Sequence, residues 1–146
     1  MKRVLTVCFG NSDRSPAMAA VLGMYLDCAG IEATIESVGT DKGATGSGSG
    51  ASPFAKTAVK RLGLDLTGHV KRHISAVELA DFDLVICPND DIAGKVVELG
   101  ADRAKVHCAR IENVWPVGCQ ENYDAIVMPS ILAEMYRVLR QWSHLW

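Results

Sequence analysis

The 146-residue chain predicts an α/β domain, a parallel sheet with helices on both faces. Two observations point to that class. Four short apolar, β-branched runs alternate with helical runs, which is the pattern of right-handed crossovers between parallel strands. Length and composition agree: one domain's worth of chain, 49% hydrophobic and 22% charged, is ordinary for a globular protein with a real core.

Taken in order, Arg3-Val4-Leu5-Thr6-Val7 reads as the first strand and Pro16 to Ala29 as the first helix, with Gly30 beyond it as a C-cap candidate. Ala33 to Val38 alternates and is β-branched, hence a second strand. Gly39 to Ser52 is a loop whose centre, 43–50, is low-complexity Gly/Ser. It is read either as a passive connector or as a flexible rim of a site. Pro53 to Leu62 is a helix closed by Gly63, and Leu64 to Ile74 is irregular. Ser75 to Glu78 has a capping-box pattern and is expected to open a short helix. Phe82 to Cys87 is the third strand. Asn89 caps a helix through Leu99, closed by Gly100. Lys105 to Cys108 is the fourth strand, Ala109 to Asn122 a loop, and Tyr123 to Trp142 a long final helix. No repeat or internal boundary interrupts this, so residues 1–146 are expected to form one domain.

Composition also excludes classes of function. A net charge of −2 gives no electrostatic footprint for nucleic acid. No apolar run has transmembrane length, and Met1-Lys2-Arg3 enters a strand without a signal-peptide pattern, so no membrane partner and a cytoplasmic location are expected. The five cysteines, at 8, 28, 87, 108 and 119, are odd in number and irregular in spacing. That is neither a disulfide framework nor a zinc site, and no metal or cofactor is expected. Cys28, Cys87 and Cys108 read as small buried hydrophobes.

The stretch that carries chemistry is Cys8-Phe9-Gly10-Asn11-Ser12-Asp13-Arg14-Ser15-Pro16, between the first strand and first helix. Proline suits the first helical turn. Unpaired N–H groups and the helix dipole make such a junction an anion site. Gly10 and Asn11 tolerate the left-handed conformations a tight loop needs. A cysteine at a helix N-terminus beside Arg14 is expected to be largely thiolate, and Ser15 can donate a hydrogen bond that favours this. Arg14 can grip two oxygens of a tetrahedral oxyanion in one fork. The implied reaction is attack of Cys8 sulfur on a phosphoryl group, then hydrolysis of the phosphocysteine.

With Gly-Asn inside and Arg-Ser-Pro at its end, this loop resembles that of the low-molecular-weight protein tyrosine phosphatases, and the resemblance covers essentially the whole chain. It implies a three-layer α/β/α domain with strand order 2-1-3-4. It implies phosphate binding by Phe9 to Ser15, with Cys8, Arg14 and Ser15 catalytic. Ser37-Val38-Gly39-Thr40 is similar to the family's Ser-Ala-Gly-Thr, so Ser37 would orient Asn11, and His69 matches a histidine that buttresses the loop. Phosphotyrosine in a protein or a small aryl phosphate would be the substrate. Inorganic phosphate, sulfate and arsenate would be ligands.

Two departures qualify the resemblance. The family's general-acid Asp-Pro matches Trp115-Pro116, and indole is no useful proton donor. General acid catalysis is worth about a hundred- to ten-thousand-fold, so turnover is expected to be slow. Trp115 is read either as an aromatic wall at the substrate rim or as a packed loop residue. Asp13 stands where the family often has a second cysteine. It faces solvent or backbone on one reading and replaces the missing acid on another, with Glu121 and Asp124 as further surrogates. Two other functions remain in competition. Arsenate reductases share the fold, but Cys87 has no partner cysteine about seven residues on. A binding module that has lost its acid would hold phosphate without turnover.

Overall fold

The computed structural model describes residues 1–44, 50–111 and 118–146. Four parallel strands, β1 (Lys2–Cys8), β2 (Ala33–Gly39), β3 (Leu84–Cys87) and β4 (Val106–Cys108), form one sheet in the order β2-β1-β3-β4. Helices α1 (Arg14–Cys28), α2 (Pro53–Lys60), α3 (Asp90–Glu98), α4 (Gln120–Asn122) and α5 (Met128–Gln141) flank it. The α/β class, the parallel sheet and the strand order expected from the sequence are those observed.

β1 is central and buried on both sides, which is why it reads as a continuous apolar run rather than an alternation. Its side chains divide between two cores. Val4 joins Met18, Leu22, Ile86, Ile131 and Met135 beneath α1, α2 and α5. Leu5 and Val7 join Val38, Val85, Cys87, Ile92 and Val96 beneath α3. Each fully buried aliphatic side chain contributes about 2 kcal/mol. The two cores clamp the strand whose carboxyl end carries Cys8. Helix ends follow local chemistry: Ser52 accepts from the Ala55 N–H at 3.1 Å and Asn89 from the Ile92 N–H at 2.9 Å.

Three expectations are corrected. The Ser75–Glu78 capping box opens no α-helix. His73 rather than Ser75 caps a single 3-10 turn at Ile74–Ala76, and a second turn follows at Leu79–Asp81. The backbone at Val77 is extended, so the capping pattern has no helix to serve. The final helix is not uniform. A π-helical turn at Tyr123–Val127 lies between α4 and α5. Finally, Cys28 is exposed and Cys108 half-buried, leaving Cys87 alone as the buried thiol of the three, because Cys28 ends α1 away from its apolar face. The Gly/Ser centre of the 39–52 loop, at 45–49, and Trp115, within 112–117, fall outside the described residues.

Candidate active site

The loop from Cys8 to Ser15 closes around the Cys8 sulfur. The Asn11 N–H donates to Cys8 Sγ at 3.2 Å, and Ser15 Oγ lies 3.0 Å from it. Ser15 Oγ also accepts from Asn11 Nδ2 at 2.9 Å and donates to the Val38 carbonyl at 3.3 Å. Asp13 stands at the N-cap of α1 without capping it through its side chain, so the first N–H groups of the helix keep their affinity for an anion. Arg14 is buried, with Nη1 3.4 Å from the Ile111 carbonyl. Among the described residues no carboxylate forms an ion pair with it. Arg14 also lines a groove of about 390 Å³ with Pro88, Asn89, Asp90, Ala109, Arg110 and Ile111.

The loop's shape is imposed from behind. Asn11 is fully buried at φ 53°, a left-handed conformation that asparagine tolerates. Its Nδ2 donates to Ser37 Oγ at 3.0 Å as well as to Ser15, and its Oδ1 accepts from the Arg72 N–H at 2.7 Å. His69 Nε2 sits 2.7 Å from the Asn11 carbonyl oxygen. β2 continues under the loop: the Thr40 and Asp41 N–H groups donate to the Cys8 and Phe9 carbonyls at 3.0 and 2.9 Å. That approach requires Gly39. A Cβ there would lie 2.7 Å from the Phe9 oxygen and 2.9 Å from the Asn11 nitrogen.

The structure therefore brings Cys8, Asn11, Arg14, Ser15, Ser37 and His69 together. Phe9 is exposed at the mouth, 59% accessible. Ser12 receives the Ser52 N–H on its carbonyl at 2.6 Å, which fastens the start of α2 to the loop. Sequence reasoning missed Gly39 and Arg72 as parts of this site. Gly39 lay within the Ser-Val-Gly-Thr stretch; Arg72 acts through its backbone and left no side-chain signal.

Asp13 turns inward, not to open solvent. Its Oδ1 is buried, and burial pushes its carboxyl above the usual range. The Tyr123 hydroxyl, the Arg14 charge and the Ser52 hydroxyl oppose that rise. Of the other carboxyls considered as acids, Asp124 is paired with Arg61 and Gln120. Arg61 holds it below its usual range, so it carries no proton to give near neutral pH. Glu121 is exposed on α4.

Cys87 does not face Cys8. It packs with Leu5 and Val7 in the core beneath α3, whereas Thr6, two residues before Cys8, turns to α1 and donates to the Ser15 carbonyl at 2.8 Å. Burial pushes the Cys87 thiol up to about 12, and the Cys108 thiol beside it lies at about 11. Neither is a ready nucleophile.

Comparison with known proteins places these features among relatives. The family model described as low molecular weight phosphotyrosine protein phosphatase matches residues 3–117. A fission yeast (Schizosaccharomyces pombe) protein named low molecular weight phosphotyrosine protein phosphatase is 34% identical over 109 residues, 71% of this chain and 68% of that one. Two solved structures share the fold. The Drosophila arginine phosphatase DARP superposes with a TM-score of 0.83 at 22% identity, over 97% of this chain and 98% of its own. Vibrio vulnificus Wzb in complex with benzylphosphonate gives 0.81 at 18% identity, over 96% and 98%.

Proposed function

The chain belongs to the low molecular weight phosphotyrosine protein phosphatase family, and from that premise we propose that it hydrolyses aryl phosphates through a phosphocysteine on Cys8. The observation that carries the reading is the Cys8 sulfur held among the Asn11 N–H, the Ser15 hydroxyl and the start of α1. In the first step sulfur bonds to phosphorus as the bond to the aryl oxygen breaks. Arg14 and the loop N–H groups bind the three equatorial oxygens, where most of the charge resides. In the second step water attacks phosphorus and the Cys8 thiolate leaves. The departing aryl oxide needs a proton, and Trp115 supplies none. Asp13, pushed above its usual range by burial, is the loop's own carboxyl and the proposed donor under mildly acidic conditions. Turnover is accordingly slow, with phosphotyrosine slower than an activated ester.

The placement of Cys87 in the opposite core weighs against a thiol relay of the arsenate reductase kind. The test is turnover of p-nitrophenyl phosphate, phosphotyrosine and phosphoarginine by the wild type and Cys8→Ser. Hydrolysis of the aryl esters by the wild type alone is expected. Phosphate binding with no turnover of any ester would contradict the reading and favour a binding module.

A further inference from the structure

Asn11 is held from two directions, and both lead back to β2. Glu36 and Ser37 are successive residues of that strand, so their side chains leave opposite faces of the sheet. Ser37 takes the direct route, its Oγ accepting from Asn11 Nδ2 at 3.0 Å. Glu36 takes an indirect one. Its Oε1 accepts from Arg72 Nη1 at 3.0 Å and its Oε2 from Arg3 Nη2 at 2.9 Å. The Arg72 guanidinium, joined by Arg3, holds the Glu36 carboxyl below its usual range, so it is ionised at neutral pH. The backbone of Arg72 is the part that meets the loop. Its N–H donates to Asn11 Oδ1 at 2.7 Å, and its carbonyl accepts from the Gly39 N–H at 2.8 Å. Gly39 and His73 form an isolated parallel bridge, which lays residues 72–73 alongside the end of β2. The chain from Leu64 to Arg72 forms no helix or strand, so individual contacts rather than a regular ladder fix where the Arg72 N–H points. Among the described residues, Glu36 is the one carboxylate paired with Arg72.

We propose that Glu36 is a positioning residue for the Cys8 loop, acting through the Arg72 side chain to set the Arg72 N–H on Asn11 Oδ1. This rests on the anion-loop reading above. Each link of the relay is a hydrogen bond: Glu36 to Arg72 at 3.0 Å, Arg72 to Asn11 at 2.7 Å, and the Asn11 N–H to Cys8 Sγ at 3.2 Å. Stability alone does not account for the ion pair. The Arg72 and Glu36 side chains are 40% and 28% exposed, and pairs so open to water contribute little. Nor does charge account for it. A carboxylate behind a site built for anions opposes their binding. Positioning gives that carboxylate a use. Asn11 holds φ 53°, a conformation that persists only while its surroundings constrain it, and Arg72 supplies the constraint on its Oδ1.

The test reads a sign. By charge alone, removing the carboxylate should tighten binding of inorganic phosphate; by positioning, it should weaken it. Full-length protein is titrated with inorganic phosphate in a calorimeter at one neutral pH, and kcat for p-nitrophenyl phosphate is measured beside it. Glu36→Gln keeps the side chain's size. It is expected to weaken phosphate binding about threefold and lower kcat about fivefold, well inside the roughly hundredfold that about 1 Å of misplacement costs. Arg72→Met, which keeps the apolar stem, should act in the same direction, and the double variant should be no worse than the poorer single one. In an Asn11→Ala background, Glu36→Gln should change neither quantity. Should Asn11→Ala fail to fold, the Arg72 pair decides. Tighter or unchanged phosphate binding by Glu36→Gln, or factors that multiply in either pair, would overturn the proposal while leaving the anion loop intact. No phosphate binding by the wild type would overturn both.

Discussion

On one flank of the Cys8 loop, Asn11 uses both amide donors and its acceptor, on Ser15, Ser37 and the Arg72 backbone, while His69 meets its carbonyl. On the other flank, Asp13 Oδ1 and the Tyr123 hydroxyl are buried without a hydrogen-bond partner among the described residues. The same eight-residue loop is thus over-determined on one side and loosely satisfied on the other. A fully satisfied network is rigid, and rigidity is what positioning the nucleophile requires. A buried carboxyl short of partners instead changes its charge easily. The Asn11 flank fixes geometry, and the Asp13 flank carries a carboxyl that burial pushes above its usual range.

The largest expected effect tests what the two flanks have in common. Cys8→Ser should lower p-nitrophenyl phosphate turnover by at least about ten-thousand-fold, since no other group replaces the nucleophile. Next is the rigid flank alone. Asn11→Ala leaves the Ser37 hydroxyl and the Arg72 N–H without their partner and puts alanine in a left-handed conformation. Turnover should drop about a hundredfold and stability by about 3 kcal/mol, read by steady-state kinetics and urea unfolding. A loss of turnover without a loss of stability would break the link between network and geometry.

Trp115→Asp probes the proposed lack of a general acid directly. It should raise phosphotyrosine turnover about tenfold and p-nitrophenyl phosphate turnover less, because the better leaving group needs less help. A shallow dependence on leaving-group basicity in the wild type, with no gain in the variant, would show an acid already at work.

Stability measures the loose flank. Asp13 is more basic folded than unfolded, so between those two values the folded chain holds more protons. Its contribution therefore weakens as pH rises through that window and improves on acidification. Asp13→Asn should raise stability by about 1 kcal/mol at neutral pH and by nothing at acidic pH. Urea midpoints at two pH values check this.

Much of the rigid flank was legible because it is made of short-range pattern. A cysteine at a strand end, Gly-Asn in the loop and Arg-Ser-Pro at the helix start are contiguous, and each residue type has a local physical reason. Ser37 and His69 needed the family resemblance, since their partner is 26 and 58 positions away. The loose flank was half legible. Asp13 stood out as a carboxylate in an anion loop, but Tyr123 read as an ordinary helical residue. A π turn leaves no periodicity of its own, so nothing in the sequence marked Tyr123. The Ser75–Glu78 stretch failed for the converse reason. The capping pattern was real, yet His73 and the extended Val77 took the backbone elsewhere.

The claim on which all this depends is that Cys8 is the nucleophile of an anion site, and alkylation tests it most directly. Cys28 and Cys119 are exposed, whereas Cys8 is 3% accessible, so exposure alone would leave Cys8 the least modified of the three. Native protein treated with iodoacetate at mildly acidic pH, then mapped by mass spectrometry, should carry the label on Cys8 first. Inorganic phosphate should slow that reaction and leave the other sites unaffected. Labelling that follows exposure, with Cys28 and Cys119 modified ahead of Cys8 and no effect of phosphate, would contradict the account.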